Sequence, residues 1–306
     1  MRHVFATAML LALAACSTST MTGPVDKGDY YAGQNLWGTD AHLAPSKPDA
    51  ILRYADHPRG FAELRLPKGA QAGKGPFPLA VIFHGGCWKT GVATQAYMGP
   101  LATRWQELGI ATLNVDYREV GDGGGWPGSF EDWNAASELI DQVWRKYPID
   151  RDRVTLVGHS AGALPALWLA EVQAAADAPA GARLALLARG AVIFDGPADL
   201  ALERDGFDGL CGFPSVDPFM GGSVEQVPER YAAISPSYHE PRLKHVLFVQ
   251  AKLPAPAERA QQAMRDALVR VDVRPNPGAS HFDIITPGAP AYAANEDNVL
   301  KVLRGR

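Results

Sequence analysis

The pentapeptide Gly158-His159-Ser160-Ala161-Gly162 sets a serine between two glycines. A hydroxyl attacks an acyl carbon only when a base takes its proton and nearby donors stabilise the oxyanion that forms. Flanking glycines permit the sharp turn that lifts such a serine off its strand and seats it at a helix N-terminus, where the dipole favours developing negative charge. A second glycine pair, in His84-Gly85-Gly86-Cys87-Trp88, offers backbone N–H groups of the kind an oxyanion needs. Imidazole is the usual base near neutral pH, and three histidines follow Ser160: His239, His245 and His281. A carboxylate near the far imidazole nitrogen completes such a set. The chemistry in view is acyl transfer to water.

These groups act together only if regular elements bring them to one sheet edge. Gly60 to Leu66 alternates like a strand, and Pro78 to Phe83 is a continuous apolar run of the sort buried on both faces. Helical spacing is expected over Met98 to Leu108, Asp132 to Lys146, Ala161 to Ala176, Glu258 to Leu268 and around Ala291 to Leu303. Strands are expected at Ile110 to Val115, Val154 to Val157, Ala191 to Phe194, His245 to Ala251 and Val269 to Arg274. The alternation predicts the α/β class, with one mostly parallel central sheet flanked by helices. Ser160 then stands at a strand-to-helix turn, and His281 in the loop between the last strand and the last helix. Residues 199–244, with Phe207, Leu210, Phe213 and Phe219 among Gly, Pro and Asp, read as an irregular, lid-like insert. Gly121 to Gly125 reads as a flexible rim.

Composition narrows the function classes. The chain has 306 residues, 47% of them hydrophobic and 20% charged, enough to bury a sizeable core. Its 29 Lys and Arg against 33 Asp and Glu give a net charge of −4, and no basic block stands ready to neutralise phosphates. A nucleic-acid partner is not expected. The histidines are scattered and neither His-Glu-x-x-His nor Cys-x-x-Cys occurs, so no metal and no cofactor are expected.

The N-terminus reads as an address. Val4 to Ala15 is apolar, too short to span a bilayer, and ends in Leu13-Ala14-Ala15-Cys16. This end resembles a bacterial lipoprotein cleavage box, which implies that residues 1–15 are a signal peptide and that Cys16 is lipidated. Ser17 in the next position resembles the outer-membrane sorting pattern, so the expected location is the periplasmic face of the outer membrane or the cell surface. Residues 16–50 would be a tether and irregular lead-in, and 51–306 one catalytic domain. In an oxidising compartment the remaining Cys87 and Cys211 form either a disulfide or two isolated thiols. A bridge would tie the insert to the loop at His84 as a fixed roof.

The serine pentapeptide in its strand and helix context, together with His84-Gly85-Gly86, resembles the α/β-hydrolase fold, specifically esterases with a His-Gly-Gly oxyanion loop in the hormone-sensitive-lipase-like and kynurenine-formamidase-like branch. Asp116-Tyr117-Arg118, Trp126-Pro127 with Asp132, and Phe219-Met220-Gly221-Gly222-Ser223 leading to Ser235-Pro236 resemble the same branch, over roughly residues 50–304. The resemblance implies Ser160 as nucleophile, His281 as base, and the amides of Gly86, Cys87 and Ala161 as oxyanion donors. Cys87 departs from the glycine, alanine or aromatic residue of many relatives. In most relatives the acid follows the seventh strand in a Gly-x-x-Asp turn, but here the stretch after Val249 runs to Glu258 without an aspartate. Asp195, at the end of the sixth strand, is placed like the acid of pancreatic-type lipases and is favoured over Glu258. Asp199 is expected to brace the insert between the sixth and seventh strands. The implied activity is that of a serine carboxylesterase on short or medium acyl or aryl esters, with arylformamidase and cell-wall acetyl or feruloyl esterase as alternatives. A surface-binding lipoprotein with a decayed site is the alternative of another class. Trp88, Tyr117, Trp126 and Phe194 are candidates for lining a small-molecule ester pocket, with core packing the plainer role for each. The oligomeric state is left open.

Overall fold

A computed structural model describes residues 43–68, 72–172, 188–236 and 243–306. The leader, Cys16 and most of the tether lie outside these residues. Eight strands form one sheet: β1 (Ala50–Arg53), β2 (Phe61–Arg65), β3 (Phe77–Phe83), β4 (Ala111–Val115), β5 (Ile149–His159), β6 (Gly190–Phe194), β7 (His245–Gln250) and β8 (Arg270–Pro275). Their order is β1-β2-β4-β3-β5-β6-β7-β8. β2 runs antiparallel to both β1 and β4, and every other pairing is parallel. The continuous apolar run of β3 is explained by its central place, since side chains on both of its faces are buried.

Helices cover both faces. α1 (Gly99–Glu107) and α8 (Pro290–Leu303) pack on one side, where Leu101, Trp105, Val299 and Leu303 meet Ala80, Ile82, Val157 and Val249. α2 (Gly128–Lys146), α3 (Ala163–Val172) and α7 (Glu258–Asp266) belong to the core of the other side, with Leu79, Val81, Phe83 and Leu156. Alternate residues of β3 thus feed opposite cores, as a pleated strand requires.

The structure departs from the sequence expectations at four places. Ala50–Arg53 is an additional edge strand rather than the end of an irregular lead-in, and Ser46 just before it bonds Thr103 and Gln106 of α1. α2 begins at Gly128, a turn before Asp132. The insert is helical: α4 (Leu200–Cys211), α5 (Val216–Met220) and α6 (Pro228–Ala232) follow in succession. Asp199 caps α4 by accepting from the amides of Ala201 and Leu202 and receives the Ser235 hydroxyl, the bracing role expected of it. Finally, the 121–125 segment is pinned rather than a free rim. Asp122 accepts from the Glu119 amide at 2.6 Å and from Arg59 at 3.2 Å, and the Gly125 amide donates to Ser129 at 2.9 Å.

Candidate active site

β5 delivers Ser160 to the C-terminal edge of the sheet, at the start of a 3-10 turn that leads into α3. Ser160 has φ 55°, a left-handed conformation that costs a non-glycine residue of order 1–3 kcal/mol. The glycines around it are there for close approach. A Cβ on Gly158 would lie 2.1 Å from the Gly162 carbonyl oxygen, and one on Gly162 would lie 2.1 Å from that of Phe83. The turn therefore nests directly on the end of β3, beside the loop that follows it.

That loop carries His84-Gly85-Gly86-Cys87-Trp88. A Cβ on Gly85 would sit 2.7 Å from Ser160 Cβ, so the loop abuts the Ser160 turn. Gly86, Cys87 and Trp88 take φ of 124°, 54° and 51° in succession. Among the described residues, the Gly86 and Cys87 amides donate to no protein acceptor. Tertiary contacts hold this unfavourable backbone. Cys87 is bridged to Cys211, at the end of α4, with the two Cα atoms 6.0 Å apart. Trp88 is fully buried, stacked on Phe219 of α5 at 4.5 Å between ring centroids and against Phe207 of α4 at 4.9 Å. His84 stacks on Tyr117 at 4.3 Å, and Tyr117 Oη donates to the His84 carbonyl at 2.7 Å.

His281 stands in the loop after β8, and its Nδ1 lies 2.7 Å from Asp195 Oδ2. Nδ1–H donates to the carboxylate, which leaves the Nε2 lone pair free. Asp195 is fully buried at the end of β6 with φ 46°. The residues after β7 contribute no acid of their own but supply a cradle: the amides of Ala251, Lys252 and Leu253 donate to Asp195 Oδ1 at 2.9, 2.9 and 2.8 Å. Burial pushes the Asp195 carboxyl up, but the hydrogen bond and charge of His281, joined by the Ala251 and Lys252 amides, outweigh it and hold the group below the ordinary carboxylate range.

Glu258 is not brought to the site. It opens α7 with its side chain exposed and paired to Arg265 at 2.9 Å, because a charge at a helix N-terminus gains more from the dipole and solvent than from bending back into a buried loop. His245 is likewise elsewhere, bound to Asp272 at 2.9 Å at the start of β7, and His239 lies outside the described residues. Trp88, Tyr117 and Phe194 are fully buried core residues, while Trp126 is partly buried and packs edge-on against Phe130 of α2 at 4.7 Å.

The sequence profile of the BD-FAE family matches residues 64–250, more than half of the chain and including the Ser160 turn, the loop after β3 and Asp195. The chain belongs to the BD-FAE family. No curated protein matches its sequence. Solved structures resemble the BD-FAE chain in fold at low identity. A truncated carbohydrate esterase from gut microbiota shares 17% identity, with 87% of this chain and 99% of that one covered and a TM-score of 0.64. Esterase B of Lactobacillus rhamnosis, inhibited by a C6-C4 SN3 compound, shares 17% over 86% of this chain and 89% of its own, with a TM-score of 0.64. Thermogutta terrifontis esterase 2 phosphoramylated by tabun shares 19% over 85% and 95%, with a TM-score of 0.61. The fold is that of the α/β-hydrolases.

Two features of this BD-FAE site correspond to no motif in the sequence. Arg59, in the turn between β1 and β2, reaches under the His84 loop to bind Glu119 at 2.7 Å, Asp116 at 2.9 Å and Asp122 at 3.2 Å. Glu119 is buried, which pushes its carboxyl well up against the lowering effect of Arg59, and its Oε1 would lie 3.1 Å from a Cβ on Gly86. Tyr97, in a 3-10 turn at Gln95–Met98, places its Oη against the Gly85 amide and the His159 ring, both next to the Ser160 turn. Neither carries a sequence signal: Arg59 sits in the polar turn Asp56-His57-Pro58-Arg59, and Tyr97 is one aromatic residue among many.

Proposed function

We propose that this protein is a serine carboxylic-ester hydrolase. Ser160 attacks the ester carbonyl, Nε2 of His281 takes the hydroxyl proton and returns it to the departing alcohol, and water resolves the acyl-enzyme by the same steps in reverse. Asp195 holds the Nδ1–H tautomer and stabilises the imidazolium that forms at each proton transfer. The amides of Gly86, Cys87 and Ala161 take the oxyanion, each donor lowering the barrier by about 3–4 kcal/mol. The observation that carries this reading is the 2.7 Å bond between His281 and a buried Asp195 held by three amides, at the same sheet edge as a left-handed serine. The esterases among its structural neighbours, including one holding an inhibitor and one phosphoramylated by tabun, support it.

The substrates proposed are short or medium acyl or aryl esters. The insert is short, and its α4 is tied to the loop after β3 by the disulfide, which supports a small acyl group. The carbohydrate esterase among the neighbours favours a second reading, the release of acetyl or feruloyl groups from cell-wall polysaccharide. Hydrolysis of a chromogenic ester series from acetate to octanoate tests the first. Turnover falling with chain length and abolished in Ser160→Ala is expected, and activity unaffected by that change refutes it. Release of acetate from acetylated polysaccharide by the same protein decides the second.

Export as a lipoprotein anchored through Cys16 completes the proposal. The Cys87–Cys211 disulfide supports it, because such bridges persist in oxidising compartments. Membrane fractionation with Cys16→Ala as control is the test: the variant should move to the soluble fraction, and a wild type already soluble would refute anchoring.

A further inference from the structure

His159 precedes the nucleophile by one residue, and its ring takes no part in the acyl transfer just described. The ring is buried, and both of its nitrogens are engaged. Tyr97 Oη lies 2.7 Å from Nδ1, and the backbone carbonyl oxygen of His281 lies 3.1 Å from Nε2. Tyr97 Oη also lies 2.5 Å from the amide nitrogen of Gly85, the first glycine of the loop after β3.

The direction of every bond in this chain follows from its ends. The Gly85 N–H can only donate and the His281 carbonyl can only accept, so in a neutral His159 ring the proton sits on Nε2, and Tyr97 Oη, accepting from Gly85, sends its own proton to Nδ1. Nδ1 therefore carries a lone pair, the ring proton of a neutral imidazole sits on Nε2, and Nε2–H donates to the His281 carbonyl. Burial first, and the neighbouring charge of His281 second, push the His159 ring well below the ordinary imidazole range, in agreement with the neutral form. The two imidazoles lie with ring centroids 4.4 Å apart, and Phe282 closes on His159 at 5.4 Å. The chain of bonds thus runs from the end of β3 to the loop after β8. Those are the two segments that hold the oxyanion donors and the base, and both meet the turn that holds Ser160.

We propose that His159 and Tyr97 are positioning residues, a neutral hydrogen-bonded strut that sets the oxyanion loop and the His281 loop in register on either side of Ser160. The strut acts on geometry alone. Gly85 is fastened so that the next two amides stay free for substrate, and the His281 backbone is fastened to the residue that precedes Ser160. Displacing a reacting group by about 1 Å can cost about 100-fold in rate, so the effect belongs in kcat. The inference rests on the hydrolase reading for its kinetic consequence, while the hydrogen-bond chain itself does not.

The test has two readouts on the full chain. In 15N-histidine-labelled protein, with His159 assigned by its loss in His159→Gln, the ring should show a protonated Nε2 and a bare Nδ1 that do not titrate between about pH 5.5 and 8. A ring protonated at Nδ1, or one that titrates in that range, overturns the proposal. For kinetics, Tyr97→Phe, which removes one oxygen, and His159→Gln, whose amide can still reach the His281 carbonyl, should each lower kcat about 10- to 100-fold with KM within about threefold. The double variant should be no worse than about threefold beyond the worse single one, because the two residues act as a unit. His159→Leu should fall below His159→Gln, which a space-filling role does not predict. Unchanged kcat in Tyr97→Phe, or losses that multiply in the double variant, would overturn the strut. If wild type and Ser160→Ala are equally inert towards esters, the hydrolase reading fails and takes the kinetic claim with it, a failure distinct from that of the bond chain, which the tautomer reports directly.

Discussion

The bridge between Cys87 and Cys211 joins the loop after β3, proposed to hold the oxyanion, to the helical insert, and its removal should be felt in both stability and rate. Its ends are 124 residues apart in sequence. The loop-closure relation for a ring of that size gives about 5 kcal/mol at 25 °C, and measured bridges commonly deliver 2–4 kcal/mol. In the double variant Cys87→Ser/Cys211→Ser the loop keeps the Trp88 stack on Phe219 and Phe207 and the bond from the Val120 amide to the Trp88 carbonyl at 2.8 Å. It loses the covalent tie that opposes relaxation of the left-handed backbone at Cys87, φ 54°, and Trp88, φ 51°. Relaxing two such residues releases of order 1–3 kcal/mol each, enough to populate a loop whose amides no longer face the oxyanion. Guanidinium unfolding followed by tryptophan fluorescence and by far-UV circular dichroism should show a loss of 2–5 kcal/mol, with kcat down roughly tenfold and KM little changed. A double variant within about 0.5 kcal/mol of the wild type would refute the stability argument. One that loses stability but keeps full kcat would show that packing alone holds the loop.

Other consequences are more local. Asp195→Asn should lower kcat by about 10³- to 10⁴-fold by freeing the wrong tautomer of His281, whereas Glu258→Gln should stay within twofold; comparable losses would return the acid to Glu258. Glu203 of α4 accepts from the amides of Ala198, Asp199 and Ala257, tying the segment after Asp195 to the loop that cradles it. Burial pushes its carboxyl from 4.5 up to about 7, against the lowering effect of those amides. The folded chain therefore holds a proton that the unfolded chain has already released, so stability should fall as pH rises from about 4.5 to 7, by up to about 3 kcal/mol. Glu203→Gln should flatten that slope in melts taken across the range, and an unaltered slope would exclude Glu203 as its source. Arg59→Met should cost about 3–5 kcal/mol, since it leaves Glu119 and Asp116 buried without their cation; a near-neutral melt would contradict the ion-pair cluster.

The strands were the most legible part of the chain, because a buried parallel strand such as Pro78 to Phe83 writes its environment as an unbroken apolar run. The insert was the least legible. α4 carries Gly206 and Gly209 in its interior, which weakens helix propensity, yet Asp199 before it and Gly212 after it are the start and stop signals that mark it. Within the candidate site, the positions of Ser160 after β5 and of His281 in the loop after β8 were legible because each sits in a local pattern at a strand end. Asp195 could be narrowed only to one of two, since its cradle is made of backbone amides that leave no mark on side-chain identity. The link from Tyr97 to His159 joins residues 62 positions apart through polar atoms, and only the folded chain brings them together.

The central claim is that Ser160 is a nucleophile activated by His281. Exposure of the full chain to a fluorophosphonate, followed by intact-mass and peptide mass spectrometry, tests it most directly. One adduct per chain is expected, located on Ser160, lost in Ser160→Ala and strongly slowed in His281→Ala. A wild-type chain that takes no label while folded, or one labelled equally well without His281, would contradict it.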